Sequence, residues 1–171
     1  LNYRLGIDAD IVTLANDMAA GNVGALLVYD CNPVYSYTDG KKFAEAMAKV
    51  PVTVSFNGTM DETTEQCKYI SSSHHWLESF GDAEPKTGYF SLIQPLINPL
   101  FKTRPFQTAL LKWSAATVDD YDVLFKSYWE NKLGGETNYY KALQDGIIEP
   151  AEGASFVTGS YSGAGMADAA S

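Results

Sequence analysis

Two histidines, two cysteines and a few adjacent carboxylates are the residues of this 171-residue chain whose types could carry chemistry. His74 and His75 are neighbours. In an extended segment adjacent side chains point to opposite faces, so the pair reads as one packed and one exposed ring rather than as two ligands of one metal. Cys31 and Cys67 cannot complete a four-cysteine zinc or iron–sulfur site by themselves, and they read as free, mostly buried thiols. A disulfide between them stays open. A Ser–His–acid arrangement can be drawn from the abundant serines, a histidine and Glu78, but no G-x-S-x-G elbow presents a nucleophile. Asp61-Glu62 and Asp119-Asp120 put carboxylates side by side; the separation in space that decides acid–base chemistry is not written in a sequence, and solvated helix faces explain them.

The strongest candidate is Asp30-Cys31-Asn32-Pro33, directly after the apolar run 24–29. In a parallel α/β sheet, ligands bind beyond the carboxyl ends of the strands. Asn at such a place hydrogen-bonds a ligand or closes a backbone turn, and Pro sets the departure of the chain; both readings stay open. The chain has no G-x-G-x-x-G, P-loop, H-E-x-x-H or C-x-x-C pattern, so the usual dinucleotide, phosphate, zincin and dithiol readings lose their best support.

The elements that must position this turn follow from periodicity. Ile11, Leu14, Ala15 and Met18 recur at three-and-four spacing, predicting a helix over 8–20 with Asp8 as its cap and Gly21 as its stop. Residues 24–29 are continuously apolar, as in a strand covered on both faces. A helix over 40–49, capped by Asp39, and a β-branched strand over 52–56 come next. Further on, 61–66 reads as a short polar helix, 67–70 as a third strand, 71–82 as a polar-aromatic loop with room for a helical turn, and 89–94 as another strand. The last third is helical, with Phe106, Leu110 and Trp113 on one face, Thr117 and Asp120 as a capping arrangement, Gly134-Gly135 as a stop, and a final helix over 138–144. Alternating helix and strand predicts an α/β, Rossmann-like three-layer domain with a mostly parallel sheet and a helical C-terminal extension. It spans 1–150, with 151–171 as a small-residue tail or linker.

Composition narrows the partners. The chain is 46% hydrophobic and 19% charged, with a net charge of −9 and no Lys/Arg cluster, so nucleic acid and anionic membrane surfaces are disfavoured. No run approaches the ~20 apolar residues of a membrane span, and no export signal is read at Leu1.

Taken in order, Asp8, Ile11, Leu14, Asp17-Met18, Ala20-Gly21, Val23, Ala25-Leu26-Leu27-Val28 and Asn32-Pro33 resemble the third domain of the molybdopterin oxidoreductase family. Asp61-Glu62-Thr63, Tyr69-Ile70, Trp76-Leu77-Glu78-Ser79-Phe80-Gly81-Asp82 and Leu92-Ile93-Gln94-Pro95 continue the likeness, which covers about 8–113. More narrowly, 28–35, Phe43-Ala44-Glu45-Ala46, Lys49-Val50-Pro51 and 75–82 look like the iron–sulfur subunit of bacterial quinol:cytochrome c oxidoreductases, called alternative complex III. That resemblance implies a cofactor-free scaffold region, iron–sulfur clusters elsewhere in the parent subunit, and a place on the periplasmic side of the bacterial inner membrane. The partners it implies are other subunits of a membrane-associated respiratory complex and a cytochrome c. The broader resemblance implies an alternative, a dinucleotide-binding domain of an active enzyme with Asn32, Ser72 and Glu78 beside the cofactor. Two departures separate them: Asp30-Cys31 stands where a small residue is common, and Ser71-Ser72 where Leu-Pro often follows the third strand. Asp30 would repel a doubly anionic pyrophosphate.

Overall fold

A computed structural model describes residues 6–150, so the small-residue tail expected over 151–171 lies outside the described residues. The first helix, α1 (Asp8–Ala20), ends where Gly21 takes a left-handed φ of 78° and the N–H groups of Gly21 and Asn22 return to the carbonyls of Met18 and Asp17. Only glycine enters that region without steric cost. The cap differs from expectation: Ile7 occupies the N-cap position without a side-chain bond, while Asp8 and Asp10 sit inside the first turn, where negative charge meets the positive end of the helix dipole.

Strand β1 (Ala25–Val28) leads through a one-turn helix, α2 (Pro33–Ser36), to α3 (Gly40–Met47), β2 (Val52–Ser55), α4 (Glu62–Gln66) and β3 (Tyr69–Ile70). Pro33 at the first helical position suits α2, because its missing N–H is one a helix start leaves unpaired anyway. Asp39 caps α3 by accepting from Lys42 N–H, and Asp61 caps α4 by accepting from Thr64 N–H. The three strands run parallel in the order β1-β2-β3, with Leu27 opposite Val54 and Val54 opposite Tyr69. The α/β class with a parallel sheet is therefore as the alternation of helix and strand implies.

The sheet is not covered equally on its two faces. Leu26 and Val28 point toward α1 and α3 and are buried with Ala15, Met18, Phe43, Met47 and Val50, each large side chain contributing roughly 1.5–3 kcal/mol of burial. Leu27, on the other face, stays 47% exposed. The uninterrupted apolar run of β1 had implied cover on both sides; periodicity cannot show how far a second layer extends. Here that layer is α5 (Phe106–Trp113), whose Phe106 stacks on Tyr29 and packs with Phe56 at the C-terminal edge.

A second body follows β3. Strands β4 (Gly81–Lys86) and β5 (Tyr89–Ile93) form an antiparallel hairpin. β4 was not expected: it begins inside the loop read over 71–82 and continues through Glu84, Pro85 and Lys86, which are poor strand formers. The register shifts between Ala83 and Lys86, around Pro85, which has no N–H to give a ladder. Helices α6 (Tyr121–Leu133) and α7 (Glu136–Asp145) close over this hairpin and bury Leu92, Phe125, Trp129 and Tyr139. Asp120 caps α6, Gly134 at φ 78° ends it, and Gly146 at φ 73° ends α7. Trp129 Nε1–H donates to Asp82 at 2.9 Å, fastening α6 to β4.

Candidate functional site

Just beyond β1 the chain turns through Asp30, whose φ of 50° is left-handed. Asp is one of the few side chains that tolerates this region. Two residues later, Asn32 bonds within the protein through both ends of its amide. Its Oδ1 accepts from Thr63 Oγ1 at 2.7 Å and from Thr63 N–H at 3.2 Å, and its Nδ2 donates to Glu62 at 2.6 Å. Thr63 Oγ1 in turn accepts from Val34 N–H at 3.0 Å, so Asn32 and Thr63 join the starts of α2 and α4. Of the two open readings of the Asn-Pro turn, the backbone-closing one describes this geometry: Asn32 carbonyl also accepts from Tyr35 and Ser36 N–H.

Beneath it lies Asn57, at the end of β2. Its Nδ2 donates to Cys31 carbonyl at 2.8 Å and to Asp61 at 2.9 Å. Both partners are acceptors, so the amide must face them with its nitrogen. Its buried Oδ1 is left without a donor among the described residues. Burial alone would raise the Asp61 carboxyl, but hydrogen bonds from Thr64, Asn57 and Thr63 hold it below the usual carboxylate range. Cys31 and Cys67 are free thiols. Cys31 is exposed rather than buried, yet its partly buried surroundings, then Asp30 and Asp61, push its thiol up, which disfavours the reactive thiolate.

A cleft of about 720 Å³ opens beyond the sheet's C-terminal edge and brings together Asp30, Asn57, Ser72, His74 and Glu78, with Tyr29, Trp76 and Phe101 among its aromatic walls. Of the sequence candidates it collects Ser72 and Glu78 but not Asn32. Glu78, though buried, is fully employed. One oxygen accepts from Leu100 N–H at 2.9 Å and the other from His75 N–H at 3.0 Å. These bonds, Leu100 first, hold its carboxyl below the usual range. The histidines divide as their adjacency implied. His74 is largely buried and its Nδ1 meets Thr103 Oγ1 at 2.5 Å, whereas His75 is exposed. Among the described residues no serine hydroxyl is hydrogen-bonded to a histidine, and Ser73 Oγ, beside His74, accepts from Phe106 N–H. The paired carboxylates are likewise engaged: Asp61 and Asp120 cap helices, Glu62 accepts from Asn32, and Asp119 lies 2.9 Å from Lys112.

A smaller cleft of about 410 Å³ adjoins the first, sharing Ser72, Phe101 and Thr103 and adding Ser71, Lys102 and Arg104. Neither cation has an ion-pair partner among the described residues. The sequence offered no signal for these two, because two cations in a chain of net charge −9 do not form a cluster.

No protein-family model matches the chain. The chain is 33% identical over 118 residues to the menaquinone reductase, molybdopterin-binding-like subunit of Nitratidesulfovibrio vulgaris strain Hildenborough, an alignment covering 65% of this chain and 17% of that protein. Residues of this chain form a molybdopterin oxidoreductase-like region. The fold agrees: acetylene hydratase from Pelobacter acetylenicus superposes with a TM-score of 0.56 at 16% identity, over 61% of this chain and 15% of that one. This molybdopterin oxidoreductase-like chain thus spans about a sixth of the length of the relatives it matches.

A pterin dinucleotide carries a doubly anionic pyrophosphate, and the large cleft does not fit it. Its lining contains no Lys or Arg, Asp30 adds a carboxylate, and the orphaned atom at Asn57 is an acceptor, which wants a donor and not a phosphate oxygen. The Oδ1 of Asn32 is already taken by Thr63, and its Nδ2 is bonded to Glu62 through one of its two N–H groups. No cluster of three or more His, Cys, Asp or Glu among the described residues is placed to hold a metal ion.

Proposed function

We propose that this chain is a non-catalytic scaffold and interaction region in a subunit of a quinone-linked electron-transfer complex, of the type of the iron–sulfur subunit of quinol:cytochrome c oxidoreductases. The carrying observation is its 33% identity to a subunit described as molybdopterin-binding-like in a menaquinone reductase. The polarity of the cleft supports the reading. Residues that would face a dinucleotide instead hold the protein together: Asn32 joins α2 to α4, and Glu78 fastens a surface loop. In this reading the region contributes no reacting group. It shapes a surface on which neighbouring subunits, and a cytochrome c meeting the acidic faces of the molecule, assemble on the periplasmic side of the inner membrane. Any iron–sulfur clusters belong to other parts of the parent subunit.

The alternative is a dinucleotide-binding domain of an active molybdopterin oxidoreductase, with Asn32, Ser72 and Glu78 near the ligand. Metal and pterin analysis of the full-length protein, purified from its source, decides between them. Molybdenum and tungsten far below one atom per polypeptide, with no releasable pterin, is the expected result. Either metal at stoichiometric level together with pterin overturns the scaffold reading.

A further inference from the structure

The loop after β5 exposes large apolar side chains that this region of the protein does not itself cover. Leu96 is 70% exposed, Leu100 72% and Phe101 77%, and Trp76 beside them 63%. Single exposed apolar residues are ordinary, but a group of them around one cleft marks a contact surface. Trp76, Leu100 and Phe101 line the large cleft, so these three form walls of a groove.

This loop is also held in place. Leu96 and Ile97 N–H donate to Leu77 carbonyl at 2.8 and 3.2 Å, and Leu100 N–H donates to buried Glu78. The apolar side chains are therefore presented on a backbone ordered before any partner arrives, which lowers the entropy cost of association.

Charge then selects the occupant. Lys102 and Arg104, one and three residues after Phe101, line the adjoining cleft with Ser71, Ser72 and Thr103. They are cations without ion-pair partners among the described residues, on a chain whose net charge is −9. Asp30 stands in the large cleft, away from the lining of the smaller one. We infer that this double cleft docks a segment of a partner subunit in which apolar side chains, seated against Trp76, Leu100 and Phe101, are followed by carboxylates that meet Lys102 and Arg104. An anionic lipid surface would use similar chemistry. Basic patches that hold such membranes carry about four to eight Lys or Arg, and two on an acidic body fall short. Aromatic residues beside Arg, around an apolar centre with a polar rim, are instead the composition of protein interfaces. The inference rests on the scaffold reading, because a cleft filled by a dinucleotide would not be open to a partner.

The test replaces Leu100 by a photo-crosslinking residue in the full-length protein made in its own host, with the crosslinked peptide identified by mass spectrometry. The expected product joins this loop to another subunit of the same complex, at a segment pairing apolar residues with Asp or Glu. Lys102→Glu with Arg104→Glu should lower its yield roughly fivefold or more, since opposite charges across an interface become like charges. Both side chains are exposed, so the fold should survive, and Lys102→Gln with Arg104→Gln should give an intermediate loss. A crosslink to lipid, to the same polypeptide or to nothing, or a yield unmoved by charge reversal, overturns the inference. Molybdenum and pterin in the same sample would remove the scaffold reading while leaving a correct crosslink standing, so the two failures are separable.

Discussion

Thr63 carries more of the site than any residue the sequence singled out. It is fully buried, and its hydroxyl donates to Asn32 while accepting from Val34 N–H. Thr63→Val keeps the shape, removes both bonds and strands a buried amide, so the unfolding free energy should fall by about 1–3 kcal/mol. Thr63→Ser should retain most of it; equal losses for the two variants in urea titrations would contradict this role. Asp61 makes a pH prediction of the same scale. Its carboxyl is held below the ordinary value by hydrogen bonds to its charged form, so the stability it contributes is complete above the unfolded-state pKa and is lost as pH falls through the lower folded one. Urea midpoints should therefore decline as pH falls below about 4, in the range where free aspartate titrates. Asp61→Asn turns an N–H toward the Asn57 amide. It should be less stable at neutral pH and should show a flatter decline in acid.

Among the elements, the α2–α3 corner is the most constrained. A Cβ built on Gly40 would lie 1.9 Å from the carbonyl oxygen of Val34, which is backbone and cannot swing aside. Gly40→Ala must push α2 from α3 and should cost about 1–3 kcal/mol. Gly58, in the turn after β2, has nothing within 4 Å of the place an alanine methyl would occupy, and no positive φ. Gly58→Ala should leave stability within about 0.5 kcal/mol. Thermal or chemical unfolding of the pair separates close packing from turn preference.

Over the whole molecule, the apolar core is divided. The cluster of Phe43, Met47 and Val50 under the parallel sheet shares no residue with the cluster of Leu92, Phe125 and Trp129 behind the hairpin. Between them run α5, which stacks Phe106 on Tyr29, and single bonds such as Tyr121 N–H to Thr108 Oγ1. Val50→Ala and Phe125→Leu should each cost about 1–2 kcal/mol, and their costs should add to within about 0.5 kcal/mol in the double variant. A larger interaction energy would show that the two clusters behave as one core.

How much of this was legible beforehand follows from the range of the forces involved. Helix α1, the cap at Asp39, the stops at Gly21 and Gly134, the parallel β1–β2 order and the likeness to molybdopterin enzymes are local or sequential. Three-and-four spacing, capping chemistry and residue order carry them in the chain itself. What only the tertiary structure decided depends on residues distant in sequence. Asn32 is spent on Thr63, 31 positions away, and so is a turn brace. Glu78 holds Leu100, 22 positions on, and so presents a loop. Leu27 is half-exposed because a second layer stops short of it, and β4 forms despite Pro85 because β5 and Trp129 supply its partners. Lys102 and Arg104, inconspicuous in an acidic composition, acquire meaning only where the fold sets them beside an open cleft. Hydrogen-bond partners and uncompensated charge are properties of neighbours in space, and those neighbours exist only once the chain has closed.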